Sequence, residues 1–487
     1  MKRRDFLKGA TAAPIVAAAA GLSVPSGELV NDVHTGLNPT WVSRIVRPTS
    51  VAEVQSLLKD CQKQGRALSV SGSRHAAGGQ QFAAEAVLLD MRSMNRVVAL
   101  DEKTGILHVE AGIEWPGLIQ GYLDLQKENV RWGIRQKQGG ADRMTLGGTL
   151  AANAHGHSLG CAPIVGDVEW IEMVAPDGAA KRCDRKHDKE LFSLAVGGYG
   201  LFGVITAVGL RLVPRHKVRR RVETRTIAEV AALIEKRTKM GAPFGYFQYS
   251  IDETSSDFMR TGILTTYENA PFEAPLAAEG TDIDVRLLTA LLELAHKDRG
   301  SAYRRYAKLE LAKDGNVEWS DLHQLATYPP GYHQDIEQRL GAESVGADPI
   351  VEVYVPRAQL IPFLEEARRI LLTAELPLVY GTVRFIEQDK DSFLPWAKKR
   401  YACVIFMPHT SVEKTALRKT GETCRQLMRA ATKKGGSFYL TYNRFASRED
   451  IAFAYPQFAE FLLLKKKYDP METLQSEWYR HYKALHE

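Results

Sequence analysis

Three segments built of small residues in the first half of the chain could together hold a phosphate-bearing ligand. The first runs Ser69-Val70-Ser71-Gly72-Ser73-Arg74-His75-Ala76-Ala77-Gly78-Gly79-Gln80 and leaves an expected strand. Where no Cβ blocks the approach, consecutive backbone N–H groups can converge on an anion. The loop is not a P-loop, since no Gly-Lys-Ser/Thr follows, and it lacks the GxGxxG dinucleotide fingerprint. Taken alone it reads equally well as a surface turn. The second segment is Thr145-Leu146-Gly147-Gly148-Thr149-Leu150-Ala151-Ala152-Asn153-Ala154-His155-Gly156-His157, and the third is Gly197-Gly198-Tyr199-Gly200-Leu201-Phe202-Gly203-Val204-Ile205. Tight helix–strand packing would account for either one singly. Three such segments in one domain ask for a joint explanation.

The elements that would position them alternate. Ile45-Val46 reads as a short strand closed by Pro48. Ser50 and Glu53 have capping-box spacing. Val54, Leu57, Leu58 and Cys61 then share one helical face, and Gly65 stands at its stop. Ala67–Val70 reads as a strand, Arg96–Leu100 and Ile106–Ala111 as a hairpin, and Trp115–Leu125 as a helix. Arg215, His216, Lys217, Arg219, Arg220 and Arg221 cluster; so short a run reads as a solvated linker or strand edge and is taken as a domain boundary. Beyond it, expected helices (Ile227–Arg237, Arg286–His296, Leu360–Leu372) alternate with expected strands (Gly245–Tyr249, Ile350–Tyr354, Leu378–Phe385, Ala402–Phe406). That order suggests an α+β domain on an antiparallel sheet. The aromatic and cationic segment Ser437–His481 reads as a closing element.

Composition narrows the class. The 487 residues are 45% hydrophobic and 25% charged, with 39 Gly and 21 Pro, which excludes a disordered, collagenous or coiled-coil whole. Of the net charge of +6, the first 20 residues carry +3 (four cations against Asp5), so the remainder carries +3. A near-neutral body of this size gives no reason to expect a nucleic-acid partner. The five cysteines (Cys61, Cys161, Cys183, Cys403, Cys424) are odd in number and widely spaced, so isolated buried thiols are expected rather than a disulfide framework or zinc site.

The N-terminus has a basic start, an Ala-rich stretch from Ala10 to Val24 and small residues at Ala18-Ala19-Ala20, the pattern of an export signal. The apolar run falls short of the ~20 residues that span a bilayer, so no membrane helix is expected. Arg3-Arg4-Asp5-Phe6-Leu7-Lys8 resembles a twin-arginine signal closely. That resemblance implies a signal peptide over residues 1–24, passage through the Tat translocase in the folded state, and a periplasmic or extracellular mature protein.

From about Thr40 to Pro214 the chain resembles the PCMH-type FAD-binding domain of the vanillyl-alcohol oxidase / para-cresol methylhydroxylase superfamily. The matching features are Pro48-Thr49-Ser50, the Gly-x-x-His loop Gly72–His75, the Thr-x-Gly-Gly and His-Gly segment, and the Gly-rich strand start ending Val204-Ile205. The resemblance implies FAD as cofactor. Ser71, Gly72, Ser73, Arg74, His75, Ala76 and Gly79 would hold the pyrophosphate. Thr145, Gly147, Gly148, Asn153, His155 and Gly156 would lie along the isoalloxazine, and Gly203, Val204 and Ile205 would meet the flavin by backbone. His75 occupies the place from which members with one histidine tether bind the flavin covalently. No Cys lies between Cys61 and Cys161, so a second, cysteine tether is not expected. The implied fold class is α+β: a two-subdomain FAD-binding domain over 38–214, an antiparallel-sheet substrate or cap domain over 222–436, and a C-terminal segment 437–487 returning to the flavin site.

The substrate end is similar to aldonolactone and alditol oxidases, the D-arabinono-1,4-lactone oxidase group among them, and departs from them in two places. Glu352 in Val351-Glu352-Val353-Tyr354-Val355-Pro356 resembles their Glu–aromatic–Pro strand. Arg384 resembles the cation of their Glu-x-Arg strand, but Thr382 stands where the Glu would be. Their His-Trp-x-Lys segment is replaced by Tyr439-Leu440-Thr441-Tyr442-Asn443-Arg444, whereas Tyr455-Pro456 and Lys467-Tyr468-Asp469-Pro470 match the closing helix. Expected catalytic residues are Arg384 as clamp on a developing alkoxide, Tyr442 as proton donor or acceptor, and Glu352. The expected activity is an FAD-linked oxidase or dehydrogenase that takes hydride from a CH–OH donor to flavin N5. Its substrate would be a small alcohol or sugar-like molecule, and oxygen or a quinone-type acceptor would reoxidise it. Residues near Ala154 are expected to govern oxygen access. Two other readings stand beside it: a cell-envelope dehydrogenase similar to decaprenyl-phosphoryl-ribose oxidases, acting on a lipid-linked or larger sugar, and a non-catalytic flavin or ligand carrier.

Overall fold

The computed structural model describes residues 27–127, 130–278, 283–326, 328–329, 331–341 and 345–487. The expected export signal at 1–24 lies outside them.

After the antiparallel pair Glu28–Val30 and Thr40–Val42, the chain forms a small parallel sheet in the order Arg44–Val46, Val87–Asp90, Leu68–Ser71. Parallel neighbours need a crossover, and the helix Val51–Lys63 supplies one. Its buried residues are Val54, Leu57, Leu58 and Cys61, the face its periodicity marks. The start of this helix departs from a simple capping box. Ser50 Oγ accepts from the Glu53 N–H, but the Glu53 carboxylate reaches one residue further back, to the N–H and hydroxyl of Thr49.

A five-stranded antiparallel sheet follows, ordered Ala180–Asp184, Val168–Val174, Val204–Arg211, Ile106–Glu110, Val97–Asp101. The third sheet has eight antiparallel strands: Val317–Trp319, Lys217–Thr226, Thr261–Ala270, Phe244–Tyr249, Leu378–Ile386, Tyr401–Pro408, Val351–Pro356 and Ser437–Phe438. One continuous apolar core joins the five- and eight-stranded sheets and their helices, from Leu107 to Tyr482. Among the described residues no helix is long and apolar enough to cross a membrane.

The basic run at 215–221 is not a solvated linker. Most of it forms the first half of the strand Lys217–Thr226, paired on both sides. Alternation buries Val218, Arg220 and Val222. Arg220 pairs with buried Glu310, and Arg215 Nε lies 2.7 Å from buried Asp321 with its guanidinium over Trp319. Charge density misleads here because the carboxylates that neutralise Arg220 and Arg215 arrive from 90 and 106 positions on.

The C-terminal segment joins two sheets. Ser437–Phe438 is the edge strand of the eight-stranded sheet. The backbone near Leu474 lies against Leu68 (Leu68 N to Thr473 O 2.7 Å, Gln475 N to Leu68 O 2.9 Å). Lys465 and Asp469, both fully buried, form an ion pair, and Asp469 also accepts from the N–H groups of Thr473 and Leu474. The Asp-Pro pattern thus ends the helix Phe458–Tyr468 and turns the chain back toward the first sheet.

All five cysteines are free thiols; Cys61, Cys183, Cys403 and Cys424 are buried and Cys161 is half-buried.

Candidate active site

The three glycine-rich segments meet around one large cavity. Gly72 lies so close to Thr145 that a Cβ on it would stand 2.0 Å from Thr145 Oγ1. Thr145 in turn caps the short helix Leu146–Ala151 by accepting from the Gly148 N–H. A Cβ on Gly147 would come within 2.9 Å of the Ala111 Cβ, and Gly203 has φ +146°, open only to glycine. These glycines let backbone meet backbone where side chains would fill the cleft.

Ser71, Gly72, Ser73, Arg74, His75, Ala76, Thr145, Gly147, Gly148, His155, Gly203 and Ile205 all line the cavity, as does Ala154. Four of the expected residues do not. Gly79, with φ +78°, packs against Asn38 and Glu477. Asn153 turns away, its amide donating to Asp389 at 2.8 Å and its carbonyl oxygen accepting from the Val165 N–H. Gly156 presses on the Lys137 carbonyl, and Val204 is core beside Val174 and Leu68. Each of the four supports the wall without forming it.

The cavity suits a dinucleotide with a pyrophosphate. Ser71 Oγ and Arg74 Nε are buried on its wall without a partner among the described residues. Among the described residues, the N–H groups of Ser73, Arg74, His75 and Ala76 donate to no protein acceptor. Unsatisfied donors around one concavity are what an anion would satisfy. His75 stands on the same wall. Burial, followed by the neighbouring His34, pushes its imidazole down to about 4, so it is neutral at pH 7.

The opposite wall comes from the eight-stranded sheet. Strand alternation puts Val351, Val353, Val355, Val383, Phe385, Val404 and Phe406 on one face, where Phe406 meets Phe363 of the helix Leu360–Ala374. Glu352, Tyr354, Arg384 and Cys403 share the other face, with Arg384 opposite Cys403 and Cys403 opposite Tyr354. Glu352, Arg384, Tyr439, Thr441 and Tyr442 all line the cavity, so the three expected catalytic residues are brought together.

Glu352 is the hub. His155 Nε2 lies 2.6 Å from Oε1, the Tyr354 hydroxyl also donates to Oε1, and the Tyr442 hydroxyl donates to Oε2 at 3.1 Å. Although burial pushes the carboxyl upward, His155 and the Tyr354 phenol hold it down at about 2. His155 Nδ1 sits 3.0 Å from the Gly156 carbonyl, which only accepts. Both ring nitrogens therefore face acceptors. Burial, then Glu352, raises the Tyr442 phenol well above its usual value, so it stays protonated.

Arg384 has no hydrogen-bond or ion-pair partner among the described residues, and its guanidinium lies against the backbone of Gly139, where a Cβ would stand 2.2 Å away. Thr382, in the place of the Glu-x-Arg carboxylate, is buried and donates to the Phe247 carbonyl at 3.0 Å. Glu352, two strands away in the sheet, provides the negative charge instead.

Residue spacing had not singled out Tyr354, Tyr439, Cys403 or Trp396. Trp396 stacks on Tyr354 at 4.4 Å and donates to the Asn153 carbonyl, and Tyr439 donates to the Ala152 carbonyl. Only Tyr354 carried a usable signal, two positions from Glu352 on a strand. Gly198-x-Gly200-x-x-Gly203 has dinucleotide-fingerprint spacing but runs from a helix into a strand, the reverse of the order that motif needs.

Residues 42–184 match the family described as FAD binding domain. The fold and cavity therefore define an FAD-binding domain of the PCMH type, and FAD is the cofactor. Among relatives, an uncharacterized oxidoreductase of the fasciation locus of Rhodococcoides fascians is 31% identical over 174 residues, covering 36% of this chain and 38% of its own. Cytokinin dehydrogenase 1 of Arabidopsis thaliana is 27% identical over 179 residues, covering 35% and 30%. L-gulono-1,4-lactone dehydrogenase of Mycobacterium tuberculosis is 26% identical over 207 residues, covering 42% and 46%. The chain thus spans less than half the length of each of these relatives.

Proposed function

We propose that the protein is an exported FAD-dependent oxidoreductase acting on a CH–OH donor. The observation that carries this reading is the chain Tyr442–Glu352–His155 on the same cavity as the glycine-rich loops, with the Arg384 cation, unpaired among the described residues, beside it. FAD, when bound, supplies the hydride acceptor. Tyr442 takes the proton of a substrate hydroxyl while its own passes to Glu352, a carboxylate already steadied by His155 and Tyr354. Arg384 stabilises the alkoxide that develops, most strongly where water is excluded. A lactone dehydrogenase among the relatives supports a small, sugar-like substrate. Oxygen or a quinone-type acceptor would complete the cycle.

Several finer points belong to the same reading. His75, neutral and on the wall, would tether the flavin covalently; acid denaturation that frees all flavin would exclude this. The segment 437–487 closes over the site, supported by Tyr439, Thr441 and Tyr442 in the wall and by the Leu68–Leu474 contact. Export rests on Arg3-Arg4 and the Ala-rich stretch after them. An anaerobic screen of alcohols, polyols and lactones, following bleaching of the yellow flavin band, tests the activity. At least one CH–OH donor should bleach it. Protein that dithionite bleaches and no such donor does would overturn the proposal.

A further inference from the structure

We propose that His296, Asp348 and His409 form a zinc site, apart from the flavin cavity. One ligand atom from each lies within 4.8 Å of the other two. The helix Val285–Lys297 carries His296 in its last turn. The short antiparallel strands Gly346–Ala347 and Thr410–Ser411 pair Gly346 with Ser411 and Ala347 with Thr410, so the next residues, Asp348 and His409, face each other.

Hydrogen bonds orient the three side chains. His296 Nδ1 donates to the Leu292 carbonyl at 2.7 Å, which turns Nε2 toward Asp348 Oδ1, 3.7 Å away. That distance is too long for a hydrogen bond. His409 Nδ1 donates to the same oxygen at 2.8 Å, a proton that zinc would displace on binding. Tetrahedral zinc places neighbouring N and O ligands ~3.3 Å apart, between those two distances. The rings of His296 and His409 stand 4.5 Å apart at 79°, presenting their nitrogens from two directions.

Asp348 is fully buried, and its other oxygen accepts from the Tyr332 hydroxyl, an outer-shell contact of the kind that fixes a metal-binding carboxylate. Gly346 is needed for the approach, since a Cβ there would stand 2.5 Å from His409 Cε1. The His409 side chain, 31% exposed, leaves a path for the ion and a position for water. Two imidazoles and one carboxylate suit zinc among common divalent ions, whereas magnesium and calcium prefer all-oxygen shells.

The test uses the flavin-loaded full chain, stripped with a chelator and titrated with zinc chloride by calorimetry, then with cobalt(II) read at wavelengths beyond the flavin band. One equivalent of zinc should bind, with tetrahedral cobalt absorption. His409→Ala should weaken binding by more than about 100-fold, and Tyr332→Phe by ~10-fold, the range of an outer-shell partner. His409→Ala should keep its flavin band and its circular dichroism. His296→Gln provides a second ligand variant if that protein fails to fold. Absence of stoichiometric binding, or equal binding by wild type, His409→Ala and His296→Gln, would overturn the site.

Discussion

His155 Nε2 lies 2.6 Å from Glu352 Oε1, joining two residues 197 positions apart. One belongs to a glycine-rich loop of the FAD-binding domain and the other to a strand of the eight-stranded sheet. This contact ties the Glu352 carboxylate to the wall that carries the glycine-rich segments. Glu352→Gln and Tyr442→Phe should each slow flavin reduction by about 100- to 1,000-fold, within the range of a lost proton-transfer partner. Flavin content should be unchanged. Stopped-flow reduction under anaerobic conditions measures both; a rate within threefold of wild type would remove the relay.

Arg384 tests the electrostatic part separately. Its charge reaches the cavity without an ion-pair partner among the described residues, so Arg384→Ala should cut flavin reduction by roughly 100- to 1,000-fold, the scale of a lost oxyanion donor. Arg384→Lys should recover part of the loss, because it restores the charge without the planar fork. Equal rates for wild type and the alanine variant would leave Arg384 a packing residue.

Gly72 tests the cofactor cradle. Gly72→Ala would drive a methyl to 2.0 Å from Thr145 Oγ1. Thr145 must then rotate and release the Gly148 N–H. The purified variant should carry well under half the wild-type flavin per chain, measured by absorbance against protein. Full flavin occupancy would show that the loop does not touch the cofactor.

His323 offers a pH prediction away from the flavin. Burial among Phe244, Tyr267 and His157, with Arg220 near, pushes its imidazole down to about 3 against an ordinary value of 6.5. The unfolded chain therefore binds the proton that the folded chain refuses, so stability is full above pH 6.5 and falls as pH drops toward 3. Between pH 7 and 5 this group removes about 2 kcal/mol, and His323→Gln should flatten that part of the slope. Urea midpoints at both pH values decide it. An unchanged slope in the variant would show that His323 is not the titrating group.

Much of this protein was legible in the residues themselves. Helix periodicity located Val54, Leu57, Leu58 and Cys61, and small-residue composition located the loops at Gly72, Gly147 and Gly203, because both signals act within one turn or one backbone approach. Glu352 and Arg384 stood out through the resemblance of their strands to those of aldonolactone and alditol oxidases. Tertiary structure alone decided what these residues touch. That Glu352 rather than Thr382 provides the carboxylate near Arg384 depends on strand order, and sheet neighbours are set by packing across the whole domain. Asn153 faces Asp389 instead of the cavity because its partner arrives more than two hundred residues later. The basic run at 215–221, expected as a solvated linker or strand edge, enters a strand paired on both sides at its start for the same reason: its neutralising carboxylates, Glu310 and Asp321, are remote in sequence and adjacent only after folding.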